Sequence, residues 1–537
     1  MTTVNTQALL RTLIVYAICV PLAVAVGYLI TDPLQQQTIL MEAVVLGFLV
    51  LPVLTKWHYP LLILSWSLPV TLFFLPGHPY LYLIMVAVSL TMSVIERIMD
   101  RNRPSLHVPS VRWPLAMFLL VIVITAKLTG GFGLRSMGSE VYGGKKYVFL
   151  AIGILSFFAV AARPIPKKDV KLYVTLFFIG GVLSVVQDLY SLVPDPLRYI
   201  YLLIPPADYS SGFGDTSIVL GRTRLAGIAG AGGAVFYWML ARHGFRENVF
   251  TSKLWRPAVL TLTLACVCLG GYRSSILAAI ITVGLIFYLE KMHRTGAMIA
   301  VLLLGLLGGV LLIPLAPHLP YTFQRCLAFL PLDISTDARM DADDSTQWRL
   351  TMWEALLPQV PKYLWKGKGY AFSAETYDES ISRDSAFHNS MSAADDPLAL
   401  ASDFHSGPLS LVLPFGIWGV LAWLWFWVAG FFVVWRNYRY GDPELRHINV
   451  FIYASFITKC LLFLFVAGSV VTDVAAFTGL VGLSVAINHG VQRRKPLPVA
   501  RPADSAALQP RAYGRPVVPL RPALPALPGR NEAVARK

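Results

Sequence analysis

Charge is what this sequence has least of. Only 14% of its 537 residues are charged, against about 25% in an ordinary soluble domain. That scarcity excludes a surface solvated on all sides. Cysteine is sparse too: Cys19, Cys266, Cys268 and Cys460 lie in apolar runs and Cys326 in a polar stretch. Such a scatter makes neither a disulfide framework nor a metal cluster, so no metal or cofactor is expected. Acidic residues number 30 against 45 Lys and Arg, leaving a net charge of +15. No nucleic-acid recognition motif accompanies that charge, and it is assigned instead to cytoplasmic loops and a tail.

What the chain has in abundance is apolar sequence, 56% of all residues. Runs of about 18 or more such residues read as spanning helices. They centre on 9–30, 38–55, 59–75, 79–96, 113–129, 147–162, 171–192, 225–241, 256–270, 274–290, 296–316, 408–435, 448–469 and 472–488. The expected fold is all-α: a polytopic integral membrane protein of about fourteen transmembrane helices. The first run has no small-residue cleavage pattern after it and reads as a retained helix. The Gly- and Ala-rich run at 225–241 suits close helix contact or a broken helix.

Orientation follows from Lys and Arg, which concentrate in cytoplasmic connections. With the N-terminus inside, Lys56, Arg97–Arg112, Arg163–Lys171, Arg242–Arg256, Lys291–Arg294 and Arg436–Arg446 all fall on the cytoplasmic side. The opposite connections at 31–37, 76–78 and 470–472 contain no Lys or Arg. Both termini are therefore expected in the cytoplasm. The divisions are an N-terminal bundle (1–316), a large outer loop between helices 11 and 12 (317–407), C-terminal spans (408–489) and a basic, Pro-rich tail (490–537). The tail cannot bury a core and is expected to be disordered.

This orientation leaves Arg222, Arg224 and Arg273 on the outer face, hard against helix ends, where Lys and Arg are depleted. A guanidinium offers a rigid fork of donors that matches phosphate oxygens. A snorkelling arginine anchoring a helix end is the plainer alternative. The outer loop is mainly acidic, and Asp341-Ala342-Asp343-Asp344 reads as a solvated face, lacking the glycine and distal glutamate of a calcium loop. After Ser345-Thr346-Gln347, residues 348–357 read as an amphipathic helix with Trp353, Leu356 and Leu357 apolar. The loop re-enters the membrane through Asp403-Phe404-His405-Ser406-Gly407. An ionisable group at such a boundary is a functional candidate. His388-Asn389-Ser390 offers a second histidine in a polar setting.

The order of these motifs resembles the superfamily of O-antigen ligases and Wzy-type polymerases. The residues that carry it are Arg222–Gly227, Gly271-Tyr272-Arg273-Ser274, Trp348-Arg349, Trp353, Pro358, Trp365-Lys366-Gly367-Lys368-Gly369, and His405 ahead of Phe415-Gly416-Ile417-Trp418-Gly419. Ser406 stands where the family has asparagine after the histidine, and Gly230-Ala231-Gly232-Gly233 where it has asparagines after the first arginine motif. The resemblance implies a GT-C-like glycosyltransferase of the bacterial inner membrane, with its active site in the periplasm. Its donor would be a glycan on undecaprenyl diphosphate, and its acceptor a growing glycan or lipid A-core. The bilayer and other polysaccharide assembly proteins are the further partners. Ligases of the family are usually shorter, which leans the reading to a polymerase. Arg273, with Arg222, Arg224 and Arg349 as substrate contacts, would stabilise charge on the leaving diphosphate. His405 would act as general base, the role to which imidazole is best suited at neutral pH. Asp403, two residues away, would orient it. The rival class is a lipid-linked oligosaccharide flippase, which has no need of a ninety-residue loop on one face.

Overall fold

The computed structural model describes residues 52–75, 77–100, 106–130, 141–207, 218–219, 222–373 and 404–493, with scattered helical positions between 16 and 27. Asp403, His388, the tail beyond Arg493 and most of the runs at 9–30 and 38–55 lie outside the described residues.

Apolar runs become helices because hydrocarbon leaves backbone polar groups no partner outside the segment. The N-terminal bundle contains α1 (Leu81–Met99), α2 (Pro109–Thr129), α3 (Gly144–Val160) and α4 (Val170–Ile179). It continues with α5 (Ala226–Val249), α6 (Trp255–Cys268), α7 (Arg273–Leu289) and α8 (Ala297–Leu315). The polar segment holds α9 (Tyr321–Cys326) and α10 (Thr336–Leu356). The chain then finishes with α11 (Gly407–Tyr440), α12 (Arg446–Phe465) and α13 (Val470–Ile487). Two antiparallel ladders accompany the helices, β1 (Val141–Tyr142) with β4 (Phe372–Ser373) and β2 (Ile218–Val219) with β3 (Arg222–Thr223). Among the described residues, seven helical stretches are long and apolar enough to cross a membrane. The chain is an integral membrane protein built of helices.

Two expected spans are revised. The run at 59–75 is helical only through residue 65, and Lys56 lies within that helix rather than in a connection. The run at 171–192 is helical to Ile179, tightens into a 3-10 stretch over Gly180–Ser184 and ends at Asp188. The cause is steric. A Cβ on Gly180 would come within 2.8 Å of the Leu64 carbonyl oxygen, so two elements meet backbone to backbone. The glycines that permit this approach are poor at sustaining a helix.

The Lys/Arg-rich connections do gather at one end of the bundle. Ion pairs join Arg163 to Glu96 (2.6 Å), Arg256 to Glu247 (3.6 Å), His447 to Glu290 (3.3 Å) and Lys167 to Asp442. Half-exposed pairs of this kind stabilise little, but they show which connections are neighbours. Arg224, Arg273 and the 321–373 segment meet elsewhere, around α10.

The glycine motifs turn out to be one structural device. Pro414 and Gly416 interrupt α11, and Gly416 takes φ 61°. The exposed backbone groups are satisfied by the 364–369 turn: Lys368 N–H donates to Leu413 O (2.7 Å), Gly369 N–H to Pro414 O (3.0 Å), and Ile417 N–H to Leu364 O (2.7 Å). Gly367, at φ 74°, lies so close that a Cβ would overlap the Pro414 carbonyl. The turn and the kink are complementary halves of a lock. It sets the direction in which the start of α11, and His405 before it, leaves the bundle.

Candidate active site

The site is organised along α10. Ser335 Oγ accepts from Ala338 N–H (3.3 Å) and caps the helix, with Asp337 in the first turn complementing the helix dipole. The helix therefore begins at Thr336, well before the start expected near Ser345. Asp341, Ser345, Trp348, Met352 and Leu356 recur at helical spacing along it. Met352 and Leu356 are buried with Phe404, Leu409 and Leu413, so the lower half of the stripe docks on the start of α11. Leu357, expected on this apolar face, is 56% exposed because the helix ends at Leu356. Trp353 is in place, its Nε1 donating to Phe404 O (3.0 Å).

The upper half of the stripe is polar and holds arginines. Asp341 is buried, not solvated. Its Oδ2 accepts from Arg325 Nε (2.5 Å), the Tyr321 hydroxyl (2.9 Å) and, at longer range, Arg224 Nη2 (3.4 Å). Burial pushes the Asp341 carboxyl up, but the Arg325 and Tyr321 hydrogen bonds and the Arg325 and Arg224 charges outweigh it. They hold the group below the usual carboxylate range. Tyr321 responds oppositely: burial and the bond to Asp341 push its hydroxyl up to about 12. Arg325 also donates to the Gly271 carbonyl, tying α9 to the α6–α7 turn.

Arg273 sits at the first residue of α7. Its Nη2 donates to Ala342 O (2.7 Å), Ser345 Oγ (2.9 Å) and Thr346 Oγ1 (2.9 Å) on α10. Arg224 lies over the Tyr272 ring at 5.9 Å, and its Nε is buried without a hydrogen-bond partner. Arg349 makes no hydrogen bond or ion pair among the described residues. Burial, then the neighbouring Arg273 and Arg325 charges, lower its guanidinium below the ordinary value. Arg224, Arg273 and Arg325 thus share one buried carboxylate, Asp341, with the exposed Asp343 at the rim, and Arg349 adds a fourth positive charge beside Arg273 and Arg325. Even counting both carboxylates, the cluster keeps an excess of two positive charges among the described residues. Chemically, such an arrangement can receive a multiply charged anion.

His405, just before α11, lies against the same helix farther down. Its ring meets Trp348 edge-on, with centroids 5.5 Å apart, and its backbone is left-handed at φ 45°. About 10 Å of α10 separates Trp348 from Asp341 at the helical rise. The structure therefore brings Arg224, Arg273, Arg349 and His405 to one helix. Arg222 lies in β3, paired with Val219, and its side chain is outside the described residues. Asp403 and His388 also lie outside them. Sequence reading missed Arg325 and Asp341. The available signal was the number of arginines at helix ends beside so acidic a loop, which on charge grounds calls for a carboxylate partner for some of them.

The fold and this cluster define a polytopic membrane protein with a group of arginines gathered around one buried carboxylate. Residues 258–424 match the family model described as O-Antigen ligase; no curated protein matches the chain. Over that segment the chain is similar to the O-antigen ligases, a family of glycosyl-transferring membrane enzymes. The match takes in Arg273, Arg325, Asp341, Arg349 and His405, while Arg224 precedes it.

Proposed function

We propose that this protein transfers a glycan from undecaprenyl diphosphate to a hydroxyl acceptor, at a site facing the periplasm of a bacterial inner membrane. The observation that carries this is the excess positive charge around Asp341, with Arg349 unpaired and the Arg224 Nε unsatisfied among the described residues. A diphosphate supplies the missing negative charge and several acceptor oxygens. In a single displacement, the acceptor oxygen bonds to the anomeric carbon as the bond to the diphosphate oxygen breaks. The arginines stabilise the charge arriving on that leaving group. The acceptor proton goes to His405, and its separation along α10 from Asp341, with Arg224 and Arg325, suits opposite sides of the reacting carbon. Asp403, Arg222 and a GT-C-like arrangement of helices belong to the same reading.

Polymerisation of repeat units is the form proposed. Ligation of finished polymer to lipid A-core is the second reading, favoured by the description of the matching family model. Deleting the protein and analysing the accumulated glycans tests both. Single lipid-linked units indicate a polymerase and unlinked polymer a ligase. Unchanged glycans overturn the proposal.

A further inference from the structure

Beneath the arginines lies a cavity of about 630 Å³ between α5, α7 and α12. Its wall includes Tyr272 and Ser275, next to Arg273, and Arg224 lies 5.9 Å from the centre of the Tyr272 ring. Elsewhere the lining is mostly apolar. The cavity also borders four interruptions of helical backbone: the end of the 52–65 helix, the Gly180–Ser184 stretch, the start of α5, and the 466–469 break between α12 and α13. Irregular backbone at membrane depth is tolerated where it is covered by protein or borders a cavity. Broken helices of this kind surround polar ligands in membrane proteins.

One ion pair faces this space. Lys459 Nζ lies 3.5 Å from Asp473 Oδ1, with the two side chains 39% and 20% exposed. Lys459 stands six residues before the end of α12, about 9 Å along the helix. Asp473 Oδ2 also accepts from Ser469 N–H (3.1 Å), so the carboxylate is held by the first turn of α13. Among the described residues the ammonium makes one hydrogen bond, a long one, with its three donors. A lysine at such a position is costly unless something uses it.

We propose that this cavity receives the first isoprene units and the lipid-proximal phosphate of an isoprenoid diphosphate, with Lys459 as the contact to that phosphate. The inference rests on the donor class proposed above. The apolar walls accept the hydrocarbon, the arginines above hold the distal phosphate, and Lys459 meets the proximal one from below. Asp473 keeps the ammonium aimed until the ligand arrives. The cavity is open enough to test sterically, because a Cβ on Gly233, which lines it, would meet nothing closer than Val267 Cγ2 at 3.9 Å.

The test uses the purified full chain in lipid nanodiscs, with farnesyl diphosphate and inorganic pyrophosphate as probes in equilibrium binding. The wild-type protein is expected to bind farnesyl diphosphate more tightly than pyrophosphate. Lys459→Met should weaken farnesyl diphosphate binding by about tenfold or more, the loss expected of a charged hydrogen bond. Gly233→Leu should weaken it similarly while leaving pyrophosphate binding within about threefold, since only the hydrocarbon is displaced. The exchanged pair Lys459→Asp with Asp473→Lys keeps an α12–α13 tie and controls for folding. It should also lose farnesyl diphosphate binding. Wild-type affinity in the exchanged variant would make the pair a structural tie and overturn the proposal. So would wild-type affinity in Lys459→Met and Gly233→Leu alongside lost binding in Arg273→Lys, which would leave the donor class standing. No binding of either probe by the wild-type protein would overturn the donor class and this inference together.

Discussion

Arg325 Nε and Asp341 Oδ2 lie 2.5 Å apart, both side chains buried, at the point where α9 meets α10. This pair holds the arginine cluster together. Arg224 and Tyr321 share the same carboxylate oxygen, and Arg325 reaches back to Gly271 beside Arg273. Asp341→Asn leaves a buried guanidinium without its counterion, a loss of about 3–5 kcal/mol for pairs of this type. The expected result is a clearly lower thermal unfolding midpoint in detergent. An unchanged midpoint would show that the pair anchors nothing.

The same pair sets a pH dependence. A carboxyl held below its ordinary value contributes stability that is complete above the unfolded pKa and is lost as pH falls through the lowered folded value. With an unfolded Asp near about 3.9, Asp341 should contribute equally at neutral and mildly acidic pH. Its contribution should then fade below about pH 4. Comparing melting curves of the wild type and Asp341→Asn across pH isolates it: the gap between them should narrow only in that acid range.

Arg349 should separate function from stability. Because it makes no hydrogen bond or ion pair among the described residues, Arg349→Ala is expected to melt with the wild type while binding diphosphate about tenfold more weakly. Arg273→Lys keeps charge but loses the planar fork. It should impair transfer severely without lowering protein abundance. Full transfer activity in Arg273→Lys would return that residue to the role of a helix-end anchor.

His405 should affect turnover rather than donor binding. Its removal in His405→Ala is expected to cut transfer by about a hundredfold or more, the usual contribution of a general base. Isoprenoid diphosphate affinity should be near normal. His405→Gly, better suited to the left-handed backbone, should be equally inactive yet no less stable. Active His405→Gly would remove the base assignment.

The turn lock makes a contrasting prediction. Gly367→Ala must place a Cβ against the Pro414 carbonyl at positive φ. It should reduce the amount of folded protein, while whatever folds still binds diphosphate. Normal expression would show that the 364–369 turn can move away from α11.

Sidedness is testable in whole cells. In a background without native cysteines, a cysteine at exposed Asp343 should react with an impermeant thiol reagent, while one at Glu247 should not. Labelling at Glu247 alone would invert the orientation.

By itself, the sequence determined most of the membrane architecture, because hydrocarbon forces apolar runs into helices and charge cannot be hidden along them. The runs from 79–96 onward are recognisable in α1–α8 and α11–α13, and the similarity to O-antigen ligases over 258–424 was legible in the motifs between Gly271 and Gly419. Arg273, Arg349 and His405 could be named because cations and a histidine at helix ends stand out against so little charge. Tertiary structure alone decided which charges pair. Asp341 looked like one of several solvated acids, since nothing in a local pattern says which carboxylate an arginine 16 or 117 residues away will bury. Lys459 and Asp473 likewise sit in separate spans, and only the packing of α12 on α13 turns them into one pair. The glycine motifs carry the same lesson: their spacing marked a family, but their purpose, a turn fitted into a broken helix, exists only where the two backbones meet.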